Sequence, residues 1–163
     1  MKSRGFTLIE LIAIMIIVGI MAVVALPRMS ALSGFDERGL HDKLKASLQF
    51  ARKTAVASRR YVCLSVTNGI NGNVNLRLER AIPENTTGGC AGATGVDLNP
   101  PSPDKTTGCA SNQICSGATL SLTSSSASFR FDPLGRLNPV SNVTFSTTGQ
   151  PDIVIQAETG YVQ

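Results

Sequence analysis

Residues 6–26 are apolar at every position except Thr7 and Glu10. That pattern predicts a helix of roughly 30 Å, the thickness of a bilayer's hydrocarbon core. Lys2 and Arg4 precede it, and Pro27 and Arg28 follow. The pattern then changes. Gly34 and Gly39 punctuate residues 28–39 and predict a break or flexible join. From Leu40 the period is helical, with Leu40, Leu44, Leu48, Ala51 and Ala55 on one face and Lys43, Lys45, Arg52 and Lys53 off it. Arg59 and Arg60 close this helix, where exposed carbonyls favour cations.

Beyond residue 60 the period shortens to two. Residues 61–67 alternate as a strand, the Asn68-Gly69-Ile70-Asn71-Gly72-Asn73 cluster reads as a turn, and 74–80 return as the second arm of a hairpin. Residues 83–117 are rich in Gly, Pro, Thr and Asn, lack periodicity and read as a long excursion. Short strands follow near 118–123, 126–131, 142–147 and 152–157. The expected fold class is α+β, a helix laid on a small, mostly antiparallel sheet.

Apolar residues make up 42% of the chain and charged residues 16%, which excludes a disordered or coiled-coil protein. Charge is uneven: residues 28–60 hold eight Lys/Arg against three Asp/Glu, whereas 61–163 hold five against seven. With one histidine, no phosphate-cradling glycine loop and no paired catalytic carboxylates, the chain reads as a non-enzyme without a cofactor. His41, beside Asp42, reads as a solvated residue near a helix start. Asp97, Asn99 and Asp104 offer oxygen ligands but match no calcium-loop spacing. Asn85-Thr86-Thr87 and Asn142-Val143-Thr144 fit the glycosylation triplet, which recurs by chance.

Glu10 is the anomaly of the first segment. A carboxylate inside an apolar helix costs about 2–3 kcal/mol at mid-membrane, and no cation lies within the run. An ordinary signal peptide needs a small-residue cleavage site, and Val23-Val24-Ala25, with Pro27 close behind, serves poorly. A cut just before Phe6 creates an amine within reach. The string Arg4-Gly5-Phe6-Thr7-Leu8-Ile9-Glu10-Leu11 closely resembles the class III signal of type IV pilins and pseudopilins. The resemblance implies a pilin-like fold with a leader at 1–5, cleaved between Gly5 and Phe6 by a prepilin peptidase that also N-methylates Phe6. It implies a transmembrane and filament-core helix at 6–26, an amphipathic region at 27–60 and a periplasmic sheet domain at 61–163. Glu10 would then be neutralised by the terminal amine of a neighbouring subunit, and Gly19 and Pro27 would loosen the helix during assembly.

Two further stretches narrow the resemblance. Phe50-Ala51-Arg52 with Ala55-Val56-Ala57 before a basic turn, and Phe129-Arg130-Phe131-Asp132-Pro133-Leu134-Gly135-Arg136 with the closing Thr159-Gly160, resemble the GspH/FimT branch of minor pilins. The likeness covers 1–82 and 118–163; the excursion departs from it. Within the branch, the join Phe35-Asp36-Glu37-Arg38-Gly39-Leu40-His41-Asp42 and Cys63 look most like minor pilins of the mannose-sensitive haemagglutinin (MSHA) type. A type II secretion pseudopilin is the close alternative. The implied partners are other pilin or pseudopilin subunits, the prepilin peptidase and an inner-membrane assembly platform. DNA-capturing members carry a basic motif where this chain reads Gly160-Tyr161-Val162-Gln163, and the missing cations argue against nucleic acid. Cys63, Cys90, Cys109 and Cys115 fall on the periplasmic side, where an even count favours two disulfides over a zinc site; three pairings are open.

Overall fold

The computed structural model describes residues 7–30, 33–79, 95–102 and 108–163. Contacts divide the chain into two units, Met1–Asp36 and Glu37–Gln163. The first carries helix α1, Leu8–Ser30. Thr7 and Glu10 stand at its N-cap and N3 positions, the spacing of a capping box, and the Thr7 carbonyl accepts the amides of Glu10 (3.1 Å) and Leu11 (3.2 Å). Pro27 has no amide to donate, and α1 runs through it to Ser30.

Helix α2, Ser33–Ser58, starts seven positions before the apolar stripe and takes in both Gly34 and Gly39. The helix therefore runs through both glycines where a break or join was the expectation; residues 31–32 lie outside the described residues. Glycine weakens a helix without forbidding it. The predicted stripe is the buried one: Leu44, Leu48, Ala51 and Ala55 are fully covered and Leu40 nearly so. Arg59 ends α2 with a positive φ of 53°. The Arg59 amide reaches the Val56 carbonyl (3.4 Å) and the Arg60 amide reaches Ala55 (3.2 Å), the bond pair of a Schellman stop.

The strands of the second unit form two antiparallel sheets rather than one. In the first, the order is β4-β3-β1-β7-β8, with β5 also on β3. These strands are β1 (Val62–Thr67), β3 (Asn73–Glu79), β4 (Gly95–Asp97), β5 (Gln113–Cys115), β7 (Ser128–Phe131) and β8 (Leu137–Asn138). The second sheet runs β10-β9-β6-β2, with β2 (Gly69–Ile70), β6 (Ser121–Ser124), β9 (Val143–Thr147) and β10 (Ile153–Ile155). The predicted hairpin is β1–β3, and its turn sends β2 across to pair with β6 in the other sheet. Asn68 fastens that crossing: its side chain accepts from the Ser124 amide (2.9 Å) and donates to the Ser124 carbonyl (3.1 Å).

Alternation decides which face is buried. Along β1, Val62, Leu64 and Val66 point into the core while Ser65 and Thr67 are exposed. Val143 and Phe145 do the same from β9, and Ile153 and Ile155 from β10. Register sets Leu64 between Leu76 and Phe129. Phe129 packs edge-on to Phe131 and Phe145 at centroid distances of 6.0 and 5.9 Å. The buried stripe of α2 closes this core, and Leu40 forms a smaller cluster with Ile114 and Leu120.

Candidate functional site

The leader junction Gly5/Phe6 lies outside the described residues. From Leu8 to Met21 the large apolar side chains of α1 are all between 43% and 77% exposed. A helix apolar all round needs lipid or other protein about it. Among the described residues no helix is long and apolar enough to cross a membrane. The side chains described in α1 span 8–22, about 21 Å of helix. Glu10 is exposed in the first turn, where a carboxylate suits the positive end of the helix. Gly19 sits mid-helix with nothing within 4 Å of where a Cβ would stand.

At the far end of α2 three segments meet that are remote in sequence. Arg52 Nε donates to the Gly135 carbonyl (3.3 Å) and to the Thr159 carbonyl (3.0 Å). Gly135 closes a tight turn after β7. Asp132 Oδ1 there accepts the amides of Leu134 (2.9 Å) and Arg136 (2.8 Å), and its Oδ2 accepts Arg136 Nε (3.0 Å). The Asp132 carbonyl takes the Gly135 amide at 2.8 Å. Gly160 has a positive φ of 60°, and a Cβ on it would overlap the Gly135 carbonyl. These residues belong to the stretches that resemble the GspH/FimT branch, and nothing in their spacing marks their mutual contact. Around the clamp Leu134 and Tyr161 are exposed, and Val56 is largely so.

Cys109 and Cys115 form a disulfide across a separation of six, beside β5. Cys63 is disulfide-bonded as well, and Cys90 lies outside the described residues. Bonded sulfurs offer no thiolate to zinc, and among the described residues no group of three or more His, Cys, Asp or Glu could hold a metal ion. Tyr61, next to Arg60, carries the Arg130 guanidinium 4.5 Å above its ring.

The remaining candidates are structural. His41 is not near a helix start, because α2 begins at Ser33; its side chain is only 13% exposed, with Nδ1 3.3 Å from Asp42 Oδ1. Asp97 accepts from the buried Asn112 side chain (3.2 Å), which also donates to the Leu76 carbonyl (3.4 Å). Asp104 and Asn85 lie outside the described residues. Asn142 Oδ1 accepts the Ala157 amide at 2.8 Å.

Residues 41–160 match the family described as Type II transport protein GspH, and residues 1–26 match the prokaryotic N-terminal methylation motif. The crystal structure of the type IV minor pilin FimU of Pseudomonas aeruginosa (strain PAO1) is similar in fold. It shows 18% identity over 80% of this chain and 89% of that one, with a TM-score of 0.52. A second crystal form of FimU gives 20% identity over 77% and 90% of the two chains and a TM-score of 0.49. No curated protein sequence matches. With three quarters of its length inside that match, an α+β pilin-like fold and a methylation motif ahead of it, the chain belongs to the GspH family of pilins and pseudopilins, structural subunits and not enzymes.

Proposed function

We propose that the chain is a minor pilin or pseudopilin, cut between Gly5 and Phe6, methylated on Phe6 and held in the bacterial inner membrane by residues 6–26. It then enters a type IV-like filament, whose assembly it helps to prime. The observation that carries this reading is the methylation motif over 1–26 ahead of a GspH domain over 41–160. The exposed apolar side chains from Leu8 to Met21 support it, because such a rod is stable only in lipid or among other apolar rods. Prepilin peptidase, the inner-membrane assembly platform and other pilin subunits are the partners. In the filament, the amine of Phe6 on one subunit meets Glu10 of the next.

Of the machines, we favour an MSHA-type pilus on the likeness of residues 35–42 and Cys63. A type II secretion pseudopilus is the second reading, favoured by the description of the matching family. DNA capture is disfavoured, since Gly160 to Gln163 carry no cation for phosphate.

Mass spectrometry of native protein tests the core of the proposal. The expected chain starts at N-methylated Phe6, and Gly5→Ala leaves the leader attached. Glu10→Ala is cut normally but is scarce in sheared filaments. A native chain that keeps its leader, or starts beyond Leu26, overturns the reading.

A further inference from the structure

The first two turns of α2 differ from the rest of that helix. Among the side chains described, those of residues 34–39 do not enter the core: Phe35 is 71% exposed, Asp36 and Arg38 are exposed, and the first buried residue is Leu40. Helix stability in proteins comes mainly from a packed apolar face, and no apolar side chain described in this segment is buried. It also holds two glycines in seven residues. Each lowers the weight of the helical state about fivefold relative to alanine, and the pair roughly 25-fold.

Packing does not demand either glycine. A Cβ on Gly34 or Gly39 would meet nothing within 4 Å, whereas one on Gly72 would strike the Thr67 and Gly69 carbonyls. What remains for glycine to supply here is backbone freedom. The division between the two contact units falls inside α2 as well, between Asp36 and Glu37. Glu37 is the first residue of the second unit, and its carboxylate lies beside Gly149 in the turn after β9.

We propose that residues 33–39 are a conditional helix, a hinge that winds and unwinds independently of the remainder of α2. Opening it costs the buried core of the globular unit nothing, since that core begins at Leu40. Its use in assembly rests on the filament reading above. The hinge itself does not.

Hydrogen exchange on the full chain in detergent micelles tests it. The amides of Glu37, Arg38, Gly39 and Leu40 are the informative ones, because the first four of any helix lack intrahelical partners. They are expected to exchange at least about tenfold faster than those of residues 48–55. The double variant Gly34→Ala/Gly39→Ala is expected to slow them by roughly 25-fold. Equal protection of 37–40 and 48–55 in the parent, or unchanged rates in the double variant, overturns the hinge. In cells, the double variant is expected to be processed normally and to enter filaments several-fold less than the parent. Equal entry overturns the assembly role, and a parent chain absent from filaments overturns the filament reading while the exchange result stands.

Discussion

Arg52 donates to the carbonyl of Gly135 across 83 positions of sequence, and through the same nitrogen to Thr159 across 107. One cation on α2 thereby joins the turn after β7 to the segment after β10. Gly160 must be glycine for the two to meet, because its φ is positive and a Cβ would enter the space of the Gly135 oxygen. Gly160→Ala is expected to destabilise the domain by about 2–4 kcal/mol, from left-handed strain and overpacking together. Urea unfolding followed by circular dichroism measures it. Arg52→Ala is expected to lose about 1–3 kcal/mol, because two carbonyls then lack their charged donor.

Thr147 is buried on the inner face of β9, and its hydroxyl has no partner among the described residues. Valine is nearly the same shape without the polar atom. Thr147→Val is therefore expected to raise stability by about 1 kcal/mol, read as a higher urea midpoint at an unchanged slope. A loss of stability would mean that the hydroxyl is satisfied by a buried water.

At the stop of α2, Arg59 occupies a left-handed position that glycine adopts without penalty. Arg59→Gly is expected to leave the fold intact and to stabilise it by about 0.5–1 kcal/mol. Arg59→Val, β-branched and unsuited to positive φ, is expected to move the melting temperature the opposite way.

Non-reducing peptide mapping is expected to recover the Cys109–Cys115 pair, with Cys63 in a different disulfide. Breaking the first by Cys109→Ser/Cys115→Ser is expected to remove about 2 kcal/mol, the loop-closure value for so short a span. A peptide linking Cys63 to Cys109 or Cys115 would contradict this assignment.

The legible and illegible parts of this molecule separate by range. Leu40, Leu44, Leu48, Ala51 and Ala55 were readable as one buried stripe because helical spacing is a local signal. Phe129, Phe131, Val143, Phe145, Ile153 and Ile155 were readable through alternation. β4 and β5, each three residues, were read as excursion: their length leaves no period, and register with β3 and the disulfide beside β5 hold them. Helix α2 was expected to begin at Leu40 because glycines mark breaks, and it winds through them instead. The Arg52 clamp left no pattern at all. A bond to a carbonyl places no demand on the side chain that bears it, so neither Gly135 nor Thr159 announces its partner.

The second sheet ends on β10, whose outer rim is already occupied. Val154 exchanges backbone bonds with Gln163 in both directions, 3.3 and 3.0 Å, and Ile155 bridges Val162. A bare rim would invite another molecule to add its own strand there. The last three residues thus act as a plug against sideways sheet growth, and removing residues 161–163 would bare a sticky edge on an otherwise closed domain.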